Sequence, residues 1–175
     1  RQLLSTAFAQ DHAVTVRYPR GAGVGKEVVK DLNTLPFGKG EIRREGKGVA
    51  FLSFGPLLYE AMKVAEQIDA TVVNMRWAKP LDLEMLKSIA QTHDRLVTIE
   101  DGTRMGGAGA AVLEALQDLG MAKPVLVIGF DDAFTEHGDP GVLMKQYELT
   151  APGIQKRIQA YWPDVRVEPL LKRVV

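Results

Sequence analysis

Val49-Ala50-Phe51-Leu52-Ser53-Phe54-Gly55-Pro56, with the residues running on to Ile68, decides how this chain folds. Apolar side chains interrupted by one hydroxyl read as a strand buried on both faces, the pattern of a parallel sheet. Gly55-Pro56 ends it. Leu57, Leu58, Ala61, Met62, Ala65 and Ile68 then recur on one helical face, with Glu60, Lys63, Glu66 and Gln67 opposite. The unit repeats downstream. Thr71–Met75 reads as a strand, followed by a helix capped by Asp82 with Leu83, Leu86, Ile89 and Ala90 inward. Leu96–Ile99 reads as another strand, ending at Glu100-Asp101. A glycine-rich run from Gly102 to Gly109 then opens a helix with Ala108, Ala111, Val112, Ala115, Leu116 and Leu119 inward. Val125–Ile128 is the last core strand. Asp139-Pro140 starts a short helix, and Thr150 caps a final one carrying Ile154, Ile158 and Tyr161 on one side. Before the deciding stretch, Gly38–Arg44 reads as a short, charged edge strand. This alternation predicts an α/β fold: a mainly parallel sheet with helices on both faces. Right-handed crossovers then gather the strand carboxyl ends, and any site, along one edge.

Further upstream the pattern is incomplete. Residues 1–12 read as the last turns of a helix, with Leu3, Leu4, Ala7 and Phe8 on one side. Ala13–Tyr18 reads as a strand running into Pro19. One helix end and one strand cannot bury a core of their own. Residues 1–25 are therefore expected to be the end of a preceding domain, and residues 26–36 a linker. Residues 37–162 are expected to be the α/β domain, and residues 163–175 a tail. The chain does not open on methionine, in keeping with a fragment or a processed product.

Composition narrows the function classes. The 175 residues are 46% apolar and 25% charged, with 22 basic and 22 acidic side chains. Such balance gives no nucleic-acid footprint and no membrane-surface preference. There is no cysteine, which excludes disulfides, thiolate metal sites and a cysteine nucleophile, and fits a cytoplasmic setting. No apolar run approaches the roughly 20 residues of a membrane span.

Candidate chemistry sits mostly at the expected strand ends. Arg17-Tyr18-Pro19-Arg20-Gly21 places two arginines around a proline of fixed φ. Arg20, with open backbone after it, has the planar fork of an anion grip. On spacing alone, a surface arginine paired with a carboxylate is favoured over the grip. Gly106-Gly107-Ala108-Gly109 resembles a phosphate cradle, but Val112 breaks the G-x-G-x-x-G spacing and the next strand ends in Gly129-Phe130 without an acid. Close packing of helix on sheet is the favoured reading there. Glu100 and Asp101 suit acid–base work by position, although neighbours on a strand face opposite ways and a cap is favoured. Arg76 and Lys79 are expected to pair with those two acids. His12, His93 and His137 lack metal-ligand spacing, and there is no G-x-S-x-G elbow. On these grounds the domain is a scaffold or docking domain without a catalytic set of its own.

Read together, the motifs carry a resemblance. They run in order: Arg17–Gly21, Leu35-Pro36-Phe37-Gly38-Lys39-Gly40, Met75-Arg76-Trp77-Ala78-Lys79-Pro80-Leu81-Asp82, Val97–Asp101, Met105–Gly109 and Phe134-Thr135-Glu136-His137-Gly138. The chain, up to about Trp162, resembles the C-terminal part of the bacterial 1-deoxy-D-xylulose-5-phosphate synthase family, transketolase-like enzymes that use thiamine diphosphate. The resemblance implies condensation of pyruvate with glyceraldehyde 3-phosphate and loss of CO2, on the way to isoprenoid precursors and thiamine. It implies thiamine diphosphate and Mg²⁺ held by N-terminal and middle domains outside this chain, a homodimer, and a cytoplasmic enzyme. Residues 1–25 would close the pyrimidine-binding middle domain, and residues 37–162 would be the transketolase C-terminal-like domain, with no catalytic, cofactor-binding or metal-binding residue in this chain. Arg20, the second arginine of its motif, would grip the phosphate of glyceraldehyde 3-phosphate, which reverses the preference from spacing. Arg17 and Tyr18 receive no contact role, and His137 lies in a loop that varies in the family. The alternatives are the C-terminal domain of a transketolase or of a pyruvate dehydrogenase β-type subunit, and a stand-alone interaction domain.

Overall fold

The computed structural model describes residues 1–19, 21, 23, 25 and 30–167. Its centre is a five-stranded sheet in the order β1-β3-β2-β4-β5. The strands are β1 (Glu41–Arg44), β2 (Val49–Phe54), β3 (Thr71–Asn74), β4 (Arg95–Thr103) and β5 (Val125–Phe130). All neighbours are parallel except β1, which pairs antiparallel with β3 at the edge. Every residue of β2 is buried, as its unbroken apolar run requires. The helices are α1 (Gln2–Phe8), α2 (Leu58–Ile68), α3 (Leu83–Thr92), α4 (Ala108–Asp118), α5 (Pro140–Gln146) and α6 (Ala151–Tyr161).

Two cores result, one on each face of the sheet. Phe51, Val72, Val97 and Ile99 meet α2 and α6 through Ala61, Val64, Ile154 and Ile158. Leu52, Val73 and Leu96 meet α3 and α4 through Leu86, Ile89, Val112 and Leu116. Adjacent strand residues thus feed opposite cores, the period-2 consequence of a sheet covered on both sides. The α/β reading with a mostly parallel sheet stands.

The order of the strands sets where a site can lie. From β2 the chain passes through α2 to β3 on one side, then through α3 to β4 on the other. The reversal falls between β2 and β4, and doubly wound sheets open a crevice at the carboxyl ends of the strands beside such a point. Phe54 of β2 pairs with Glu100 of β4 there.

Several local expectations are corrected. Residues 13–18 form no strand: their backbone pairs with no strand of the sheet. In α1, Phe8 is 87% exposed and Leu4 46%, while Thr6 is buried. The Thr6 hydroxyl donates to the Gln2 carbonyl and accepts from the Leu35 amide at 2.8 Å. Leu83 and Tyr161 are exposed because they sit at helix ends, where the apolar stripe runs off the sheet. Thr150 makes no side-chain cap; Glu60 of α2 instead accepts from the Ala151 amide at 2.6 Å and ties α6 to α2.

Candidate functional site

At the switch-point edge lies a cleft of about 1000 Å³. Its floor is Phe54 and Asn74, at the carboxyl ends of β2 and β3, with Glu100 and Asp101 of β4 beside them. The start of α4 forms one wall, and the chain's own Arg17, Tyr18 and Pro19 form another.

Glu100 occupies the position that a phosphate would take. The residue is 5% exposed. Its two carboxylate oxygens accept from the Ala108 amide at 2.9 Å and the Gly109 amide at 2.8 Å. These are free donors of the first turn of α4, and the positive end of the helix dipole favours the charge. The glycines make room for it. A Cβ on Gly107 would lie 2.5 Å from Glu100 Oε1, besides striking the Thr103 carbonyl. A Cβ on Gly109 would come 2.6 Å from Thr98 Oγ1. The glycine-rich run is therefore the seat of an internal carboxylate cap.

β4 runs on to Thr103, so Glu100-Asp101 lie inside the strand and not at its end. Pairing with β2 stops at Phe54–Glu100, and pairing with β5 shifts between Ile99 and Thr103. That shift brings β4 so close to β5 that a Cβ on Gly129 would stand 2.6 Å from the Gly102 carbonyl. A glycine there, where a dinucleotide site would want an acid, has this packing cause. Within this irregular stretch the Asp101 carbonyl accepts from the Arg17 guanidinium.

Arg76 and Lys79 do not pair with Glu100 or Asp101. Arg76, at φ 60°, turns the chain off β3 and its guanidinium meets Glu41 of β1. No ion pair involves Lys79 among the described residues. A nearer acid wins: Glu41 lies opposite Asn74 in the β1–β3 ladder.

Asp82 performs the capping expected of it and more. Its carboxylate accepts from Met85 N at 3.1 Å, Gly40 N at 2.9 Å and Lys39 Nζ at 3.3 Å. Burial opposes its ionisation, but the bonds from Gly40, Met85 and Lys39 outweigh burial and hold the carboxyl below the usual range. Of the histidines, His93 is buried between the Ile89 carbonyl and the Thr71 hydroxyl, a structural role. His12 contacts Asp11 and the edge of Phe37, and His137 is exposed.

Arg20 lies outside the described residues. Among those described, no three His, Asp or Glu side chains converge in a set fit for a metal ion. With the α4 start filled by Glu100, the residues seen here do not fit a diphosphate at that helix either. No helix among the described residues is long and apolar enough to cross a membrane.

The class defined by this fold and cleft is a doubly covered α/β domain whose own N-terminal segment lines the cleft beside the switch point. The profile of the transketolase C-terminal domain matches residues 38–154. The chain belongs to that family. Over 158 residues it is 59% identical to a 1-deoxy-D-xylulose-5-phosphate synthase of Acidovorax ebreus and 61% identical to one of Albidiferax ferrireducens. Each match covers 90% of this chain and 25% of the relative. A Polaromonas naphthalenivorans synthase is 55% identical over 98% of the chain. The chain spans about a quarter of the length of these relatives, and the match is to their C-terminal part. Among solved structures, a split-gene transketolase titled an inactive β4 tetramer superposes with a TM-score of 0.69 and 31% identity, over 81% of this chain and 48% of that one.

Proposed function

We propose that this chain is the C-terminal region of an enzyme that condenses pyruvate with glyceraldehyde 3-phosphate, releasing CO2 and forming 1-deoxy-D-xylulose 5-phosphate. The observation that carries the reading is the identity of 55–61% to synthases of that name across 90–98% of the chain. In this reading residues 1–25 close a pyrimidine-binding domain, 26–36 link, 37–162 are the supporting domain and 163–175 a tail. Thiamine diphosphate and Mg²⁺ are held by segments outside this chain and supply the carbanion chemistry. The chain's own contribution is structural and dimer-forming, with one substrate contact: Arg20 grips the aldehyde's phosphate by charge-assisted hydrogen bonds. The enzyme is homodimeric and cytoplasmic.

The test uses the full-length protein that carries this chain. Release of CO2 from pyruvate should require glyceraldehyde 3-phosphate, thiamine diphosphate and Mg²⁺ together. Arg20→Ala should raise KM for glyceraldehyde 3-phosphate about 10- to 100-fold, the equivalent of one charge-assisted contact. An unchanged KM would remove the role given to Arg20. The likeness to a split-gene transketolase supports a second reading, a transketolase. Turnover of a ketose phosphate donor, with no CO2 release from pyruvate, would favour it.

A further inference from the structure

We propose that Arg17 is a positioning residue: its guanidinium, bound to the Asp101 carbonyl, fixes the Arg17–Gly21 motif on the supporting domain and so sets where Arg20 can reach. The proposal rests on the phosphate-gripping role given to Arg20 above.

The geometry begins with the overhang of β4. Asp101 lies just past the last β2 partner and inside the irregular pairing with β5. Its carbonyl accepts from the Arg17 guanidinium; a backbone carbonyl has two lone pairs and can take a side-chain donor whatever the ladder does. The guanidinium is also placed beside the buried cap. A Cβ built on Gly102 would lie 3.1 Å from Arg17 Nη1 and 3.0 Å from Glu100 Oε2. Glu100 in turn is fixed by the α4 amides. Arg17 is thus seated beside the buried, doubly bonded Glu100 at the switch-point edge.

The rest of the N-terminal segment is tied down elsewhere. The Leu35 amide donates to Thr6, and His12 meets Phe37, whose ring lies 4.7 Å from Trp77. Between that anchorage and the motif, residues 13–16 have no regular structure. Arg17 is the point where the segment regains a fixed position. Tyr18 is 79% exposed and cannot supply one. Arg20 follows Arg17 by three positions in the sequence, a chain reach of at most about 11 Å. With Pro19 between them fixing φ, an anchor at Arg17 limits where residue 20 can be. Doubly wound sheets commonly take a ligand in this crevice; here the cleft wall is the chain's own motif.

The experiment uses the full-length enzyme and two aldehydes, glyceraldehyde 3-phosphate and unphosphorylated D-glyceraldehyde. Arg20→Ala should raise KM for the phosphorylated aldehyde alone. Arg17→Ala should show the same selectivity, smaller, about five- to tenfold, because a misplaced grip retains part of its charge-assisted contact. The double variant should be no worse than Arg20→Ala, as residues acting through one contact are not additive. Gly102→Ala, which crowds the guanidinium without removing it, should reproduce the Arg17→Ala signature. Arg17→Lys should fall between wild type and alanine, since an ammonium lacks the fork. If Arg17→Ala does not fold, Arg17→Lys and Gly102→Ala carry the test. Equal KM changes for both aldehydes, no change for either, or full additivity with Arg20→Ala would overturn the positioning role while leaving that of Arg20 intact. An unchanged KM for glyceraldehyde 3-phosphate in Arg20→Ala, or an equal rise for both aldehydes, would overturn both.

Discussion

Replacing Glu100 by glutamine keeps the side chain's size and removes its charge. The carboxylate now satisfies two amides of the first turn of α4, at 2.9 and 2.8 Å. Glutamine can offer its one oxygen to either Ala108 or Gly109, and must turn its amide NH2 toward the other. One charge-assisted bond, worth about 1.5–3 kcal/mol, is lost, and the other weakens to a neutral bond nearer 1 kcal/mol. The helix-dipole contribution, up to about 2 kcal/mol in a partly buried geometry, also goes. Against these stands the several-kcal/mol desolvation of a buried carboxylate, which the neutral side chain avoids. The balance is a loss of about 2–3 kcal/mol, with no cavity to confuse it. Glu100→Ala removes both bonds and is expected to cost roughly 1 kcal/mol more. Urea unfolding of the 175-residue chain measures this as a lower midpoint at unchanged slope. Amide exchange at Ala108 and Gly109 should accelerate before the rest of α4. A Glu100→Gln variant within about 0.5 kcal/mol of wild type, a shift usual for surface changes, with undiminished protection at both amides, would refute the cap.

Other expectations follow from the same packing. Asp82→Ala loses the α3 cap and leaves the Gly40 amide without its acceptor, and should cost about 2–4 kcal/mol in a urea titration. Because the folded-state pKa of Asp82 lies below its ordinary 3.8, its contribution is complete above that value and fades as pH falls through the folded one. The gap between wild type and Asp82→Asn should therefore narrow in acid below about pH 4. Gly107→Ala, whose Cβ would sit 2.5 Å from Glu100 Oε1, should destabilise by about 3 kcal/mol through overpacking against backbone, read as a lower thermal midpoint. Glu60→Ala should loosen the start of α6 by about 1 kcal/mol, seen as faster exchange of the Ala151 amide.

Much of the sheet was legible because burial on both faces leaves an unmistakable run, as in β2, and because each crossover helix repeats its apolar face. The helix starts at Asp82 and Asp139 were legible from cap chemistry, and both side chains do accept from the first turn. Residues 13–18 misled because Val14, Val16 and Tyr18 have the composition of a strand, while strand formation depends on a partner edge that composition cannot reveal. The capping of α6 by Glu60 was hidden for a similar reason: the acceptor comes from 91 residues away. At the site, an acid before a glycine-rich helix start did signal a cap at Glu100. The overhang that gives Arg17 its carbonyl depends on where two ladders end, which no local pattern encodes. Arg20 was legible as a candidate anion grip, but only the resemblance favoured that role over a surface ion pair, and it lies outside the described residues.

In the function proposed above, this region holds no thiamine diphosphate itself, and the glycine-rich start of α4 is filled by Glu100. Isothermal titration of thiamine diphosphate with Mg²⁺, into the 175-residue chain and into the full-length protein, tests that directly. Saturable binding by the full-length protein and no binding heat from the chain alone is the result expected. Micromolar binding by the chain alone would contradict the account.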